Sequence, residues 1–142
     1  MLYFDTSFLT PLVRQEATSA QVERFVGTLP AGELTISHWT KVEFSSLLAR
    51  HVRMGGLTAE AAKTVGSGFD TMVDESFVVL LPEADDFGLA REYLSHYRTG
   101  LRAGDALHLA IGANRRMDTI FSLDKTFLKA GNMLGLPVSR GV

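Results

Sequence analysis

The chain has 142 residues, 46% hydrophobic and 21% charged, which suits one globular core and gives no sign of disorder. It contains no cysteine, so a disulfide framework, a thiolate zinc centre and a cysteine nucleophile are all excluded. The formal net charge of −2 does not mark a nucleic-acid binder.

The opening segment MLYFDTSFL has no basic n-region and carries Asp5 inside its first apolar run, unlike a cleaved signal peptide. No stretch approaches the ~18 uninterrupted apolar residues of a membrane helix. A cytoplasmic protein without membrane contact is expected. No linker, repeat or low-complexity segment is visible, and residues 1–142 read as a single domain.

Leu2–Phe4 reads as a short apolar strand that stops at Asp5, and Ala20–Val26 as a helix. After a Pro-Ala-Gly-Glu turn, Leu34–Ser37 reads as the second strand. Trp39–Met54 has Val42, Leu47, Leu48 and Val52 at helical spacing, and Gly55-Gly56 stops it. Thr58 resembles the N-cap of a helix reaching about Glu75. Phe77–Leu81, an apolar run ending at Pro82, is the third strand. Glu83–Tyr97 and Ala103–Arg115 are helical, and Thr119–Ser122 is the fourth strand. Asp124 is placed to N-cap a last helix through Ala130, ended by Gly131-Asn132, and a short fifth strand falls around Pro137–Val138. Strands alternating with helices predict the α/β class: a parallel sheet of four to five strands with helices on both faces. Strands buried on both faces read as continuous apolar runs, as these do.

Four of the 16 acidic residues fall in unusual places. Asp5 ends the first strand, and Asp124 lies just past the fourth. Glu43 sits early in the helix after the second strand. Asp105 opens a helix between the small residues Gly104 and Ala106, which allow close approach of a backbone or ligand. The carboxyl ends of parallel strands line the ligand crevice of such sheets, so all four are predicted at one edge. Clustered carboxylates raise one another's pKa unless a cation joins them. The histidines, at 38, 51, 96 and 108, are scattered, so an all-oxygen site favours Mg²⁺ or Mn²⁺ over Zn²⁺. Setting the four acids aside moves the formal charge from −2 to +2, which permits a phosphate substrate. Such a site suits phosphodiester hydrolysis by an activated water. Each acid alone also has a plain structural reading: a turn at Asp5, an N-cap at Asp124, a favourable helix dipole at Asp105, an exposed helix position at Glu43.

In four segments the sequence resembles a PIN-domain ribonuclease, specifically a VapC-type toxin of a type II toxin–antitoxin pair. They are LYFDTSFL with Asp5, ISHWTKVEFSSLLAR with Glu43, LRAGDALHLA with Asp105, and IFSLDKTFLKAG with Asp124, followed by LGLPV. The resemblance implies a three-layer α/β/α sandwich around a parallel sheet and Mg²⁺- or Mn²⁺-dependent endoribonuclease activity. It implies metal ligation by Asp5, Asp105, Glu43 and Asp124. It implies an RNA substrate, a homodimer, and a cognate antitoxin through which alone DNA is contacted. The fourth motif often has threonine two positions before its aspartate. Here Ser122 keeps the hydroxyl, free to bond a carboxylate, a metal-held water or only backbone.

Arg102 and Lys125 flank the acids and are candidate phosphate contacts or plain solvated charge. His108 either orients Asp105 or packs as a structural histidine. Trp39, Phe44, Leu47 and Leu48 suit core packing or a groove for a partner helix, and Phe69, Met72 and Val73 a core or dimer face. Two neighbouring functions remain open: an RNA-processing PIN nuclease without antitoxin, and a non-catalytic partner-binding module of the same fold. A phosphoacceptor receiver domain is disfavoured, since the first strand ends Asp-Thr-Ser and the third Leu-Leu-Pro-Glu.

Overall fold

The computed structural model describes residues 1–142. Five strands form one sheet: β1 (Leu2–Phe4), β2 (Leu34–Ser37), β3 (Val78–Leu80), β4 (Thr119–Phe121) and β5 (Val138–Ser139). Their spatial order is β3-β2-β1-β4-β5, and every neighbouring pair is parallel. Parallel neighbours need crossovers, and seven helices supply them: α1 (Thr6–Val13), α2 (Ser19–Gly27), α3 (His38–Arg53), α4 (Ala59–Ser76), α5 (Ala84–Leu94), α6 (Ala103–Asn114) and α7 (Lys125–Met133).

Successive strand residues point to opposite faces, and both faces are apolar. Phe4 and Phe121 join Phe8 and Leu9 of α1, Val22 of α2, Phe44 and Leu48 of α3, and Phe69 and Val73 of α4. Tyr3 and Ile120 join Ala90 of α5, Leu107, Leu109 and Ile111 of α6, and Phe127 of α7. The result is the expected α/β/α sandwich, with one core above the sheet and one below. Phe4 stacks on Phe121 across the β1–β4 pair with ring centroids 5.1 Å apart, and Phe44 stacks on Phe69 at 4.1 Å, fastening α3 to α4. Each buried phenylalanine contributes about 1.5–3 kcal/mol relative to exposure. Phe69 and Val73 thus face the core and are not free to form a dimer surface. No helix is long and apolar enough to cross a membrane.

Three elements differ from the sequence pattern. An extra helix, α1, starts directly after Asp5, which caps it. Pro11 lies inside it, where a missing N–H disfavours a helix; the burial of Phe8 and Leu9 outweighs that cost. Helix α5 ends at Leu94 and not at Tyr97, because a 3₁₀ turn over Tyr97–Thr99 and Gly100, at φ +70°, redirect the chain towards α6. Helix α7 runs through Gly131 and Asn132 to Met133. Gly131 is there for packing: a Cβ on it would lie 2.3 Å from Val138 Cγ1 of β5. The stop comes later, at Gly135 with φ +71°.

From β1 the chain builds outward through β2 to β3, then returns to lay β4 on the other side of β1. In an open parallel sheet this reversal leaves a crevice beyond the carboxyl ends of the two central strands, which is where ligands bind.

Candidate active site

Asp5 is the first residue past β1, and its backbone N–H still donates to Phe121 of β4, at 3.1 Å. Its side chain is turned back to cap α1. Oδ1 accepts from the Phe8 N–H at 3.1 Å and the Ser7 hydroxyl at 2.8 Å, and Oδ2 accepts from the Ser122 hydroxyl at 2.7 Å. Ser122 Oγ in turn accepts the Asp124 N–H at 3.0 Å, and Ser7 Oγ accepts the Leu123 N–H at 3.0 Å. Two serine hydroxyls therefore stitch the ends of β1 and β4 together around one carboxylate. Ser122 bonds a carboxylate, one of the roles open to it from sequence. Asp5 is only 3% exposed. Burial pushes its carboxyl above the usual range, and His108 and the bonds from Ser122, Ser7 and Phe8 offset this only in part.

Glu43 lies in the second turn of α3, whose start is fixed by a capping box between Ser37 and Thr40. Its Oε1 accepts from the Thr6 hydroxyl at 2.6 Å and from His108 Nε2. Its Oε2 lies over Gly104 at the start of α6, where a Cβ would be 2.6 Å away. The glycine before Asp105 is thus what lets α3 and α6 close on each other at the crevice. Burial alone would raise Glu43, but the His108 contact, aided by Thr6, holds its carboxyl below the usual range. His108 is 1% exposed, a packed histidine as one of its two readings had it, and its ring bonds Glu43 and Tyr3 with no bond to Asp105.

Asp105 is in the first turn of α6, half-buried. Burial and the neighbouring Asp5, Asp124 and Glu43 push its carboxyl up to about 6, against the opposing pull of His108. No side-chain hydrogen bond holds it, unlike Asp5, Glu43 and Asp124. Asp124 caps α7, with Oδ1 accepting from the Thr126 N–H at 2.7 Å and the Phe127 N–H at 3.2 Å. Arg102, just before α6, and Lys125, the first residue of α7, are exposed beside the crevice. Trp39 packs against Gly104, and its buried indole N–H has no protein acceptor.

The five residues picked from sequence, Asp5, Glu43, Asp105, Ser122 and Asp124, thus fall at one sheet edge. They do not form a ready-made cage: no group of three or more His, Asp or Glu side chains is arranged as a metal site. The four acids share one field, in which Asp5, Asp124 and Glu43 raise the Asp105 carboxyl, and Ser122 joins them through its bond to Asp5. That field, from an all-oxygen donor set without a lysine or arginine partner, fits a hard divalent cation. Tyr3, Ser37 and Thr40 were not singled out from sequence, and Thr6 and Ser7 stood only within the first motif; all five place hydroxyls behind the acids. Tyr3 carried a signal, since a tyrosine in a strand buried on both faces must find a partner for its O–H. Beside Glu43, a groove of about 710 Å³ is lined by Ser46, Leu47, Arg50, His51 and Met54. Leu47 faces this groove, whereas Phe44 and Leu48 belong to the core.

Solved structures share the fold at low identity. VapC20 of Mycobacterium tuberculosis, a sarcin–ricin loop cleaving toxin, is 20% identical over 92% of this chain and 95% of that one, with a TM-score of 0.75. FitAcB from Neisseria gonorrhoeae is 16% identical over 99% and 98%, with a TM-score of 0.77. VapBC2 from Rickettsia felis, bound to a DNA fragment from its promoter, is 13% identical over 98% of both chains, with a TM-score of 0.68. No curated protein matches the sequence. The PIN domain family matches residues 2–132, a span that holds all four acids and Ser122. The chain belongs to the PIN domain family.

Proposed function

We propose that the chain is a metal-dependent endoribonuclease that hydrolyses RNA phosphodiester bonds as the toxin of a toxin–antitoxin pair. The observation that supports this reading most is the gathering of Asp5, Glu43, Asp105 and Asp124 at the β1–β4 crevice of a PIN-family chain. Asp5 and Asp105 are the principal residues to hold Mg²⁺ or Mn²⁺, with Glu43 and Asp124 completing the set. Such an ion supplies a lowered water pKa and charge stabilisation at the scissile phosphate.

The protein's own part is to hold carboxylates in place without neutralising them. Ser7 and Ser122 orient Asp5, Thr6 and His108 orient Glu43, and the α7 N-terminus orients Asp124. Arg102 and Lys125 are positioned to take flanking phosphates of the RNA. Water attacks phosphorus, leaving a 5′-phosphate and a 3′-hydroxyl. A cognate antitoxin covers the site, with the groove beside Glu43 receiving part of it, and DNA is contacted only through that antitoxin. The active species is a homodimer in the cytoplasm.

Purified protein should cut RNA when Mg²⁺ or Mn²⁺ is added and stop when it is chelated. Asp5→Asn and Asp105→Asn should remove cleavage while circular dichroism stays native. Full cleavage by both variants would refute the assignment.

A further inference from the structure

A buried row of polar groups leads away from the site and returns to the helix it started from. Glu43 Oε1 meets His108 Nε2 of α6. The other ring nitrogen, Nδ1, lies 2.7 Å from Tyr3 Oη of β1, which lies 2.9 Å from Ser37 Oγ. Ser37, six residues before Glu43 on the chain, caps α3 and accepts from the Thr40 N–H at 3.4 Å. Tyr3, Ser37 and Thr40 are fully buried and His108 nearly so. The row thus ties together α3, α6, β1 and the end of β2.

A phenylalanine would fill the Tyr3 position in the lower core equally well. Burying a hydroxyl is costly unless it is bonded, and this one bonds only Ser37 and His108. A carboxylate accepts only, so His108 carries a hydrogen on Nε2 and directs it at Glu43. With Nδ1 held by Tyr3, the ring has one orientation, and Glu43 is fixed over Gly104. Ligand carboxylates and imidazoles are commonly aimed by such partners, whose loss costs roughly 10–100-fold in metal affinity or activity.

We infer that Tyr3 is a positioning residue for Glu43, acting through His108 although its hydroxyl makes no bond to any of the four acids. This rests on the nuclease reading above, in that Glu43 is taken to face a divalent ion. Tyr3→Phe removes one oxygen and keeps the ring, so the variant should fold. Binding of Mn²⁺ is measured by calorimetry on wild type, Tyr3→Phe, Glu43→Gln and the double variant. Tyr3→Phe should weaken Mn²⁺ binding roughly 10-fold or more, yet cause no further loss in the Glu43→Gln background, since its effect passes through that carboxylate. A loss of equal size in both backgrounds, or no loss in either, would overturn the inference. An independent readout needs neither metal nor activity. In metal-free protein the His108 Nε2–H proton should appear as a slowly exchanging downfield resonance that shifts or broadens in Tyr3→Phe. If it is unchanged, the inference fails even where cleavage is lost. If it responds while wild type neither binds Mn²⁺ nor cuts RNA, the positioning stands and the nuclease reading falls.

Discussion

The clearest consequence of the site's electrostatics is that it is held together at a cost, and Asp105→Asn should reveal it. In the folded chain the Asp105 carboxyl is pushed up to about 6 from a reference of 3.8 by burial and by Asp5, Asp124 and Glu43. A folded-state pKa above the unfolded value means that the native state binds this proton more tightly. The group's contribution is therefore most favourable below about pH 4 and is lost as pH rises through about 4 to 6. Above that window the ionised carboxylate costs about 3 kcal/mol at 1.36 kcal/mol per unit. Partial exposure and the lost helix-dipole attraction, about 0.3–1 kcal/mol, reduce the net gain from asparagine to about 2 kcal/mol. For a chain of this size that is roughly 4–8 °C in melting temperature.

The assay is thermal or urea unfolding of both proteins in chelator. The variant should be more stable near about pH 7.5, and its advantage should vanish near about pH 4, where wild-type Asp105 is protonated as well. Saturating Mn²⁺ should reverse the order, because an ion at about 100 times its Kd stabilises the form that binds it by about 2.7 kcal/mol. A variant no more stable than wild type in chelator at the higher pH, or one whose advantage persists unchanged at the lower, would refute the electrostatic account.

Ser122→Ala strands both Asp5 Oδ2 and the Asp124 N–H; urea titration should show a loss of about 1–3 kcal/mol, with cleavage reduced as well. Gly104→Ala improves helix propensity, yet its Cβ would lie 2.6 Å from Glu43 Oε2 and 3.3 Å from the Trp39 ring. It should therefore destabilise by about 1–3 kcal/mol and impair cleavage more than unfolding alone explains, as single-turnover kinetics on folded protein would show. Arg102→Ala should weaken RNA binding and lower the slope of log K against log salt by about 0.7 for a single strand, as read by filter binding at several salt concentrations.

The acids were legible because each breaks an apolar pattern at a strand or helix end, and parallel topology converts those ends into one edge. Asp5 follows Leu-Tyr-Phe directly, and Asp124 follows Ile-Phe-Ser-Leu. Their partners were not legible. Periodicity tells which face a residue takes, not what it bonds across the sheet, so Tyr3 read only as an apolar strand residue. His108 shows the limit of helical spacing: three residues after Asp105, it points instead to Glu43, 65 positions earlier. Helix α1 was obscured by Pro11, and the end of α7 by Gly131, whose purpose lies in contact with Val138.

Asp86 supplies the contrast that gives the acidic edge its meaning. It is 1% exposed, as deeply placed as Asp5, but it accepts from Arg115 Nη1 with both oxygens, at 2.8 and 2.9 Å, and from Asn114 at 2.8 Å. Burial would raise it, yet Arg115 and Asn114 prevail and hold its carboxyl below the usual range. That acid is complete: its charge is matched inside the protein, and it fastens α5 to α6. At the β1–β4 crevice the protein uses hydroxyls, one imidazole and backbone N–H groups instead, donors that orient carboxylates without an arginine's permanent positive charge. Asp105 has not even those. A chain able to bury an Asp–Arg pair thus leaves its most crowded acids without a lysine or arginine. Uncompensated inside the protein, Asp5 and Asp105 are raised towards protonation, Asp105 to about 6, where Asp86 is held low; that contrast is what the proposed cation would act on.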